Sequence, residues 1–499
     1  MLLFLSFPKY GHGIVAWIAF VPLLFALKQG SVKSALLTGL SAGLTFNIGL
    51  VYWATSAIVN YGHLPLPVGL AAMLLLAAYL GIYVALFCGG VAYLKERGVP
   101  QAASAPLLWT SLEFIKSYIF TGFPWENLAY SQYLYRPIIQ VADLTGTYGV
   151  TFIIVLINIV IYDILSDTIA ADRKSSPKRL AMEAGGAFLL LFILLIYGNL
   201  RINEIEREMK RSPALDIALI QGNIDQSSKW NPEYQQETLA SYKSLSEHLP
   251  IAGSGLVVWP ETAVPFYFQE RDLKSIQIYQ TAKKTGHWFL FGSPSYHKEG
   301  GGVSFYNSAF LVSPAGEIAG RYDKVHLVPY GEYVPWRKFF PFLGKLVEGA
   351  GDFSTGDGYY PLTMNNRKIG ILICYEAIFP EASRAYKRSG AELLVNITND
   401  AWFGLTSAPY QHLSMMPFRA VENRLYVVRA ANTGISAVID PTGRIESGTD
   451  LFVEAALAGQ VRFVDSGTYY MAYGDSFAYL CLISLVLIFM KLNFPRRIT

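Results

Sequence analysis

Four apolar runs, residues 35–53, 68–94, 148–165 and 184–200, are each about long enough to cross the hydrocarbon core of a bilayer. A chain built this way has membrane-spanning helices in its first part. Residues 14–27 and 105–120 are shorter but fit a span, and 477–490 supplies one close to the C-terminus. The apolar start, 1–7, lacks the basic beginning and small-residue cleavage site of a signal peptide and reads as a clipped or half-length first span. The expected layout is eight spans, seven N-terminal and one C-terminal. The composition agrees, with 52 % hydrophobic and only 15 % charged residues.

Loop charges give this layout a direction. Lys28, Lys33, Lys95, Arg97, Arg173, Lys174, Lys178, Arg179, Lys491, Arg496 and Arg497 fall on one side, and only Lys9 and Arg136 on the other. Eleven against two, by the positive-inside rule, puts both termini in the cytoplasm and the long segment before the last span on the outer face. One polar pair lies within a span, Glu113 and Lys116, three apart on one helical face. It reads as a structural pair near the outer end of its helix, where lysine snorkels. A net charge of +3 gives no reason to expect a nucleic-acid partner. Zinc-ligand spacing and Gly-rich phosphate loops are missing from the sequence, so no metal or cofactor is expected.

The chain therefore divides into membrane helices over 1–200, an outer domain over 201–470, and a last helix with a cytoplasmic tail over 471–499. Within the outer domain the pattern changes to short β-rich runs between helical stretches. "LDIALIQGNI", "GLVVWPE", "HWFLFGSP", "SFYNSAFLVSP", "RKIGILICYE" and "AELLVNITND" read as strands. "NPEYQQETLASYKSLSEHL" reads as a helix capped by Asn231 with Pro232 at its first position, and a second helix is expected near 272–284. "SAPYQHLSMMPFRAVENR" is helical, and "YVVRAANTGISAVIDPTGRI" returns to strand and turn. The alternation predicts an α/β layered domain.

Chemistry-bearing residues collect at the ends of these strands, where α/β folds place ligand and catalytic groups. "ILICYE" delivers Cys374, "VVWPET" delivers Glu261, and the turn-rich "GRYDKVHLVPYGEYVP" carries Lys324 and Glu332. The other two cysteines, Cys88 and Cys481, lie in apolar runs and read as small core residues. A thiol acts as an acyl-transfer nucleophile when a base takes its proton or a positive environment favours the thiolate, and when donors await the oxyanion. Glu261 can supply the base. Lys324 and the helix start after Cys374, at Phe379-Pro380, are expected to supply positive potential. Read singly, each of the three residues is as well explained by packing or solvation; the pattern rests on their combination.

That combination resembles the carbon–nitrogen hydrolase, or nitrilase, superfamily, whose members use a Glu–Lys–Cys triad on an αββα sandwich. "VVWPET", "RYDKVHLVPYGEYVP" and "ILICYEAIFPE" stand in the family's order, supported by "ITNDAWFG", "RAVENRLYVVRAANTG" and "DPTGRI". The insertion of such a domain between seven spans and one narrows the resemblance to the apolipoprotein N-acyltransferases, to which "QGNIDQSSKW", "GFPWENLAYSQ" and "PYGEYVPWR" are also similar. The resemblance implies a bacterial inner-membrane enzyme with its catalytic domain on the periplasmic face. It also implies that Cys374 takes an acyl chain from a phospholipid as a thioester, and that the α-amine of a diacylglyceryl-cysteine at an apolipoprotein N-terminus receives it. Glu261 would be the base, Lys324 the charge stabiliser, and Glu332 a second acid that orients Lys324 or relays a proton. Tyr375 and Glu376 match residues lining the pocket, and Trp230 matches one near its entrance.

The segment 334–349 puts Trp336, Phe339, Phe340, Phe342 and Leu343 beside basic side chains, and an aromatic–basic mixture of this kind suits a mobile flap at headgroup level. Three other readings fit part of the sequence. One is a membrane-tethered amidase of the same superfamily with water as acceptor. Another is a transporter with an outer binding domain. The third is a Cys–His enzyme using His326 or His412 as base.

Overall fold

The computed structural model describes residues 2–28, 30–169, 177–247, 249–251, 253–299, 302–334 and 352–493. They form two compact units, one of 1–52, 70–204 and 468–499, the other of 53–69 and 205–467.

Five helices of the described residues are long and apolar enough to cross a membrane: Val32–Val51, Leu66–Glu96, Thr147–Ile169, Leu180–Arg211 and Ser476–Asn493. They take up five of the expected runs, and the protein is a membrane protein. The other three expected spans take different forms. The described part of 1–7 holds the short helix Leu2–Leu5, and 14–27 is broken into a 3-10 segment, Gly13–Trp17, and the helix Val21–Ala26. Residues 105–120 belong to Gln101–Tyr118, an 18-residue helix with Pro106 inside it. Small residues let two of the long helices meet closely. A Cβ at Gly39 would stand 2.8 Å from the Cα of Ala85, so only glycine permits this approach. Glu113 is buried, and its carboxylate accepts from Trp109 Nε1 at 3.0 Å, the Leu128 amide at 2.7 Å and Thr151 Oγ1 at 2.8 Å. Its structural role thus rests on three donors that the reading of a simple pair with Lys116 did not include.

The boundary expected at residue 201 falls inside a helix, Pro177–Arg211, which continues past the apolar run through the charged "LRINEIEREMKR". Residues 54–67, expected to be a plain connection between spans, are helical in part. Trp53–Ser56 and the π-turn Ala57–Tyr61 group with the second unit.

The second unit contains two six-stranded sheets. The strands are β1 (Ala214–Gln221), β2 (Leu256–Val258), β3 (Trp288–Glu299), β4 (Gly302–Val312), β5 (Ile318–Asp323), β6 (Leu362–Met364), β7 (Arg367–Ile373), β8 (Leu393–Thr398), β9 (Tyr426–Ala431), β10 (Ala437–Ile439), β11 (Ile445–Gly448) and β12 (Ala455–Arg462). One sheet runs β12-β1-β2-β3-β4-β5 and the other β11-β10-β9-β8-β7-β6. Each has a parallel centre, β1-β2-β3 and β7-β8-β9, flanked by antiparallel strands. Unbroken apolar runs such as Ile369–Ile373 suit these central strands because both faces are covered. The sheets meet through β1 against β9 and β4 against β7. Gln235–Glu247 packs on β1, while Pro380–Arg388 packs on β7 and Met416–Asn423 on β9. This is the expected αββα sandwich.

Caps and cores hold the layers. Asp272 caps Leu273–Thr285 by accepting from the Ser275 amide at 2.8 Å, and Gly286 ends it with φ +71°. Asn231 accepts from the Glu233 amide at 3.1 Å, capping a 3-10 turn that leads into Gln235–Glu247. Tyr242 of that helix joins an aromatic cluster with Trp259, Phe268, Phe289, Phe291 and Phe310. Each such ring contributes about 1.5–3 kcal/mol through burial. Strands β5, β6 and β12 were not anticipated. β12 is half exposed and alanine-rich, so its sequence lacks the β-branched run that marks a strand.

Candidate active site

Four of the candidate residues converge at the ends of the strands. Glu261 stands three residues past β2, and the chain turns sharply at Thr262, where φ is +48°. The corner lies directly on β3: a Cβ at Gly292 would come within 2.4 Å of the Thr262 nitrogen and 2.7 Å of the Glu261 Cα. Glycine there sets how far the carboxylate reaches into the site. Gly292→Ala is therefore expected to cost about 1–3 kcal/mol through overpacking. It should slow acylation of Cys374 beyond what its lowered melting temperature explains. An alanine variant as stable and as fast as wild type would show that the corner does not set the geometry.

Lys324 follows β5 directly and is 1 % exposed. Its Nζ lies 2.9 Å from Glu332 Oε2 and 3.7 Å from Glu261 Oε1. Asn307 on β4 binds both acids, its Nδ2 lying 2.8 Å from Glu261 Oε1 and 2.8 Å from Glu332 Oε1. Glu261 Oε2 accepts from the Asn399 amide at 2.9 Å. Glu332 Oε2 accepts in turn from the Val328 amide at 2.8 Å. Burial works against the Lys324 charge, but Glu332 and Glu261 outweigh it and hold the ammonium above the ordinary lysine range.

Cys374 follows β7 directly with φ +53°, a left-handed conformation that costs a non-glycine residue about 1–2 kcal/mol. A 3-10 turn, Cys374–Ile378, leads to the helix Pro380–Arg388, which starts where the sequence predicted. Burial pushes the thiol up, Glu261 adds to this, and Lys324 opposes both. The expected thiolate-favouring environment is thus not what the fold provides. The helix begins six residues further on, and Lys324 is already balanced by two carboxylates. A resting thiol that holds its proton needs a base at the moment of attack, and Glu261 is the carboxylate whose charge acts on it most strongly.

Family comparison agrees with the geometry. Residues 1–160 match the apolipoprotein N-acyltransferase N-terminal domain, and residues 216–469 match the carbon-nitrogen hydrolase family. The chain is 46 % identical over 487 residues to an apolipoprotein N-acyltransferase of Geobacter metallireducens, covering 97 % of this chain and 91 % of that protein. It is 32 % identical over 499 residues to the one of Pasteurella multocida, covering 98 % and 92 %. The chain belongs to the apolipoprotein N-acyltransferase family.

The remaining candidates take distinct places in this acyltransferase. Glu376 is fully buried. Its Oε1 accepts from Tyr322 Oη at 2.7 Å and from the amides of Val325 and His326 at 2.7 and 3.1 Å, and its Oε2 accepts from the Ile373 amide at 2.7 Å. Burial pushes its carboxyl up to about 7, while Lys324 and these donors pull the other way. The residue ties the Lys324 loop to the Cys374 turn. Tyr375 is half-buried and packs edge-on against Phe379, ring centroids 5.1 Å apart. Trp230 is half-buried in the turn after the short helix Gln226–Lys229. His326 stacks on Phe379 at 3.7 Å. Residues Trp336, Phe339, Phe340, Phe342 and Leu343 of the expected flap lie outside the described residues.

Sequence reasoning missed several neighbours of the acyltransferase site. Lys229 is fully buried with its Nζ 3.1 Å from the backbone carbonyl of Glu261, and burial lowers it to about 7 although Glu261 favours its charge. Asn307 lies in β4 beside Ser308, and nothing local in that strand marked it out as a ligand of both acids. Asn399 and Asp400 lay in "ITNDAWFG", which had been matched as a block without roles for its members.

Proposed function

We propose that this protein transfers an acyl chain from a membrane phospholipid to the N-terminal α-amine of a diacylglyceryl-cysteine in apolipoproteins, with Cys374 carrying the chain between them. The observation that supports it most is the joining of Glu261, Lys324 and Cys374 at the strand ends of a chain that also carries membrane-spanning helices. In the first step Glu261 takes the thiol proton as sulfur attacks the ester carbonyl. The C–S bond forms, the C–O bond to the glycerol breaks, and the proton passes to the departing alkoxide. In the second step the amine nitrogen attacks the thioester. The C–N bond forms, the C–S bond breaks, and a proton from nitrogen returns through Glu261 to the thiol. Lys324 offsets the negative charge on the carbonyl oxygen in both steps.

The test is the fate of the acyl-enzyme. With phospholipid alone, mass spectrometry should find an acyl adduct that persists on Cys374. A diacylglyceryl-cysteine peptide with a free α-amine should discharge it, and the same peptide N-acetylated should leave it intact. Fatty acid released without peptide, at a rate matching acylation, would favour water as acceptor and the amidase reading.

The reading places the enzyme in the bacterial inner membrane, both termini cytoplasmic, with 201–470 catalytic on the periplasmic face between helices of 1–200 and 471–499. The supporting observation is the eleven-to-two loop charge count. Leu273 is 81 % exposed, so a cysteine placed there should react with a membrane-impermeant maleimide in spheroplasts. Labelling only after lysis would reverse the orientation.

A further inference from the structure

Behind Cys374 lies a buried group of polar side chains that the proposed reaction does not use. His412 is 1 % exposed. Its Nε2 lies 3.2 Å from the Cys374 carbonyl oxygen, and its Nδ1 lies 3.2 Å from Asp400 Oδ1 and 3.1 Å from Arg429 Nη2. A carbonyl oxygen only accepts, so Nε2 carries the proton. A guanidinium only donates, so with the proton on Nε2 the Nδ1 lone pair takes a bond from Arg429, and the 3.2 Å approach of Asp400 Oδ1 to Nδ1 is then a contact and not a hydrogen bond. The charged partners are themselves fixed: Arg429 Nη2 lies 2.5 Å from Asp400 Oδ2, Arg429 Nη1 lies 2.5 Å from Asn396 Oδ1, and Thr398 Oγ1 donates to Asp400 Oδ1 at 3.0 Å. Burial and then Arg429 lower the histidine, against the pull of Asp400, so the ring rests neutral. With Nε2 engaged at the Cys374 carbonyl, the His412 imidazole is not arranged to take the thiol proton, and the Cys–His reading loses His412 as its base.

A second set of contacts braces this group. Trp53 is buried, donates from Nε1 to Gln411 Oε1 at 3.0 Å, and meets the Phe403 ring edge-on at 5.0 Å. Gln411 is the residue before His412, and the Phe403 ring stands edge-on to the imidazole at 6.4 Å. Tyr61 meets Trp402 in the same way at 5.3 Å. The segment Trp53–Tyr61, which in sequence joins two apolar helices, is therefore packed on the turn that carries Asp400.

We propose that His412 is a positioning residue for the nucleophile. Its Nε2–H holds the Cys374 carbonyl and so fixes the left-handed backbone that aims the sulfur, and Trp53 supports it through Gln411 and Phe403. The inference rests on Cys374 being the reacting thiol and on nothing about donor or acceptor.

The test uses the full-length protein in detergent and follows carbamidomethylation of Cys374 by iodoacetamide, read by peptide mass spectrometry. No lipid is needed, so the result stands apart from the acyl-transfer assay. In His412→Gln the side-chain amide nitrogen reaches the place of Nε2 and still donates without titrating. In His412→Asn it reaches only the place of Nδ1. His412→Asn is expected to slow alkylation by about 10–100-fold, the scale of a small misplacement of a reacting group. His412→Gln should recover most of the rate with the wild-type pH profile. Trp53→Ala should slow alkylation and phospholipid-dependent acylation in the same proportion, without changing the phospholipid concentration that half-saturates the enzyme. Matching melting temperatures for the Gln and Asn variants separate positioning from folding. Equal slowing in both, or a pH profile that loses a limb in His412→Gln, would overturn the proposal. A wild-type Cys374 that resists alkylation would instead overturn the thiol reading on which it rests.

Discussion

Glu261→Gln should slow formation of the Cys374 thioester by about 10²–10⁴-fold, the usual effect of removing a general base. The size follows from the state of the thiol. Burial and the Glu261 charge hold it protonated, so no stored thiolate is ready to react. Glutamine preserves the shape of the corner, and its amide oxygen can still accept from Asn307 or from the Asn399 amide. It cannot take a proton at neutral pH. The measurement is the initial rate of acyl-adduct formation with phospholipid, beside a melting curve showing that the variant is folded. A wild-type rate in that variant would move the base elsewhere, with Glu332, bound to the same Lys324 and Asn307, as the next candidate.

Glu376→Ala should be the most destabilising single change at the site. Four donors, from Tyr322, Val325, His326 and Ile373, converge on that one carboxylate. Each buried donor left unsatisfied costs about 1–3 kcal/mol, so alanine removes enough to approach the whole stability of a domain. Glu376→Gln is the graded version. It can keep the Oε1 acceptor and turns an amide N–H₂ against the Ile373 amide, orphaning one donor at about 1–3 kcal/mol. The order wild type, glutamine, alanine should appear in melting temperature and in resistance to trypsin. An alanine variant that melts with wild type would show that these four bonds do not hold the site together.

Much of this was legible in the sequence. The catalytic candidates Glu261, Lys324, Glu332 and Cys374 stand at strand ends or in the loop that follows one, and each sits in a local pattern of apolar strand and turn that sequence carries openly. Three kinds of feature were not legible. Pairings between distant segments leave no local trace: the Asn399 amide meets Glu261 across 138 positions, and Trp53 meets Gln411 across 358. The direction of a side chain is equally hidden. Glu376 follows Tyr375 in the nucleophile turn, yet the turn sends one inward to four donors and leaves the other half-buried. The net electrostatic result also needed the fold. A lysine and a helix start suggested an activated thiol, while the sequence could not show that Glu332 and Glu261 already balance that lysine or that the thiol is buried. Among the helices, the run 184–200 was correctly long, but its extension to Arg211 is charged and amphipathic, and an apolar-run criterion stops before it.

The protonated state of Cys374 also bears on how such an enzyme ages. Peroxides and disulfides react with thiolates, and the chain keeps all three of its cysteines buried. In the oxidising compartment where the catalytic domain is proposed to work, an exposed low-pKa thiol would be steadily converted to sulfenic acid or captured in mixed disulfides. Here the resting thiol keeps its proton, and Glu261 draws that proton away as the sulfur meets an electrophile. Burial of a protonated thiol therefore also limits its encounter with oxidants between turnovers.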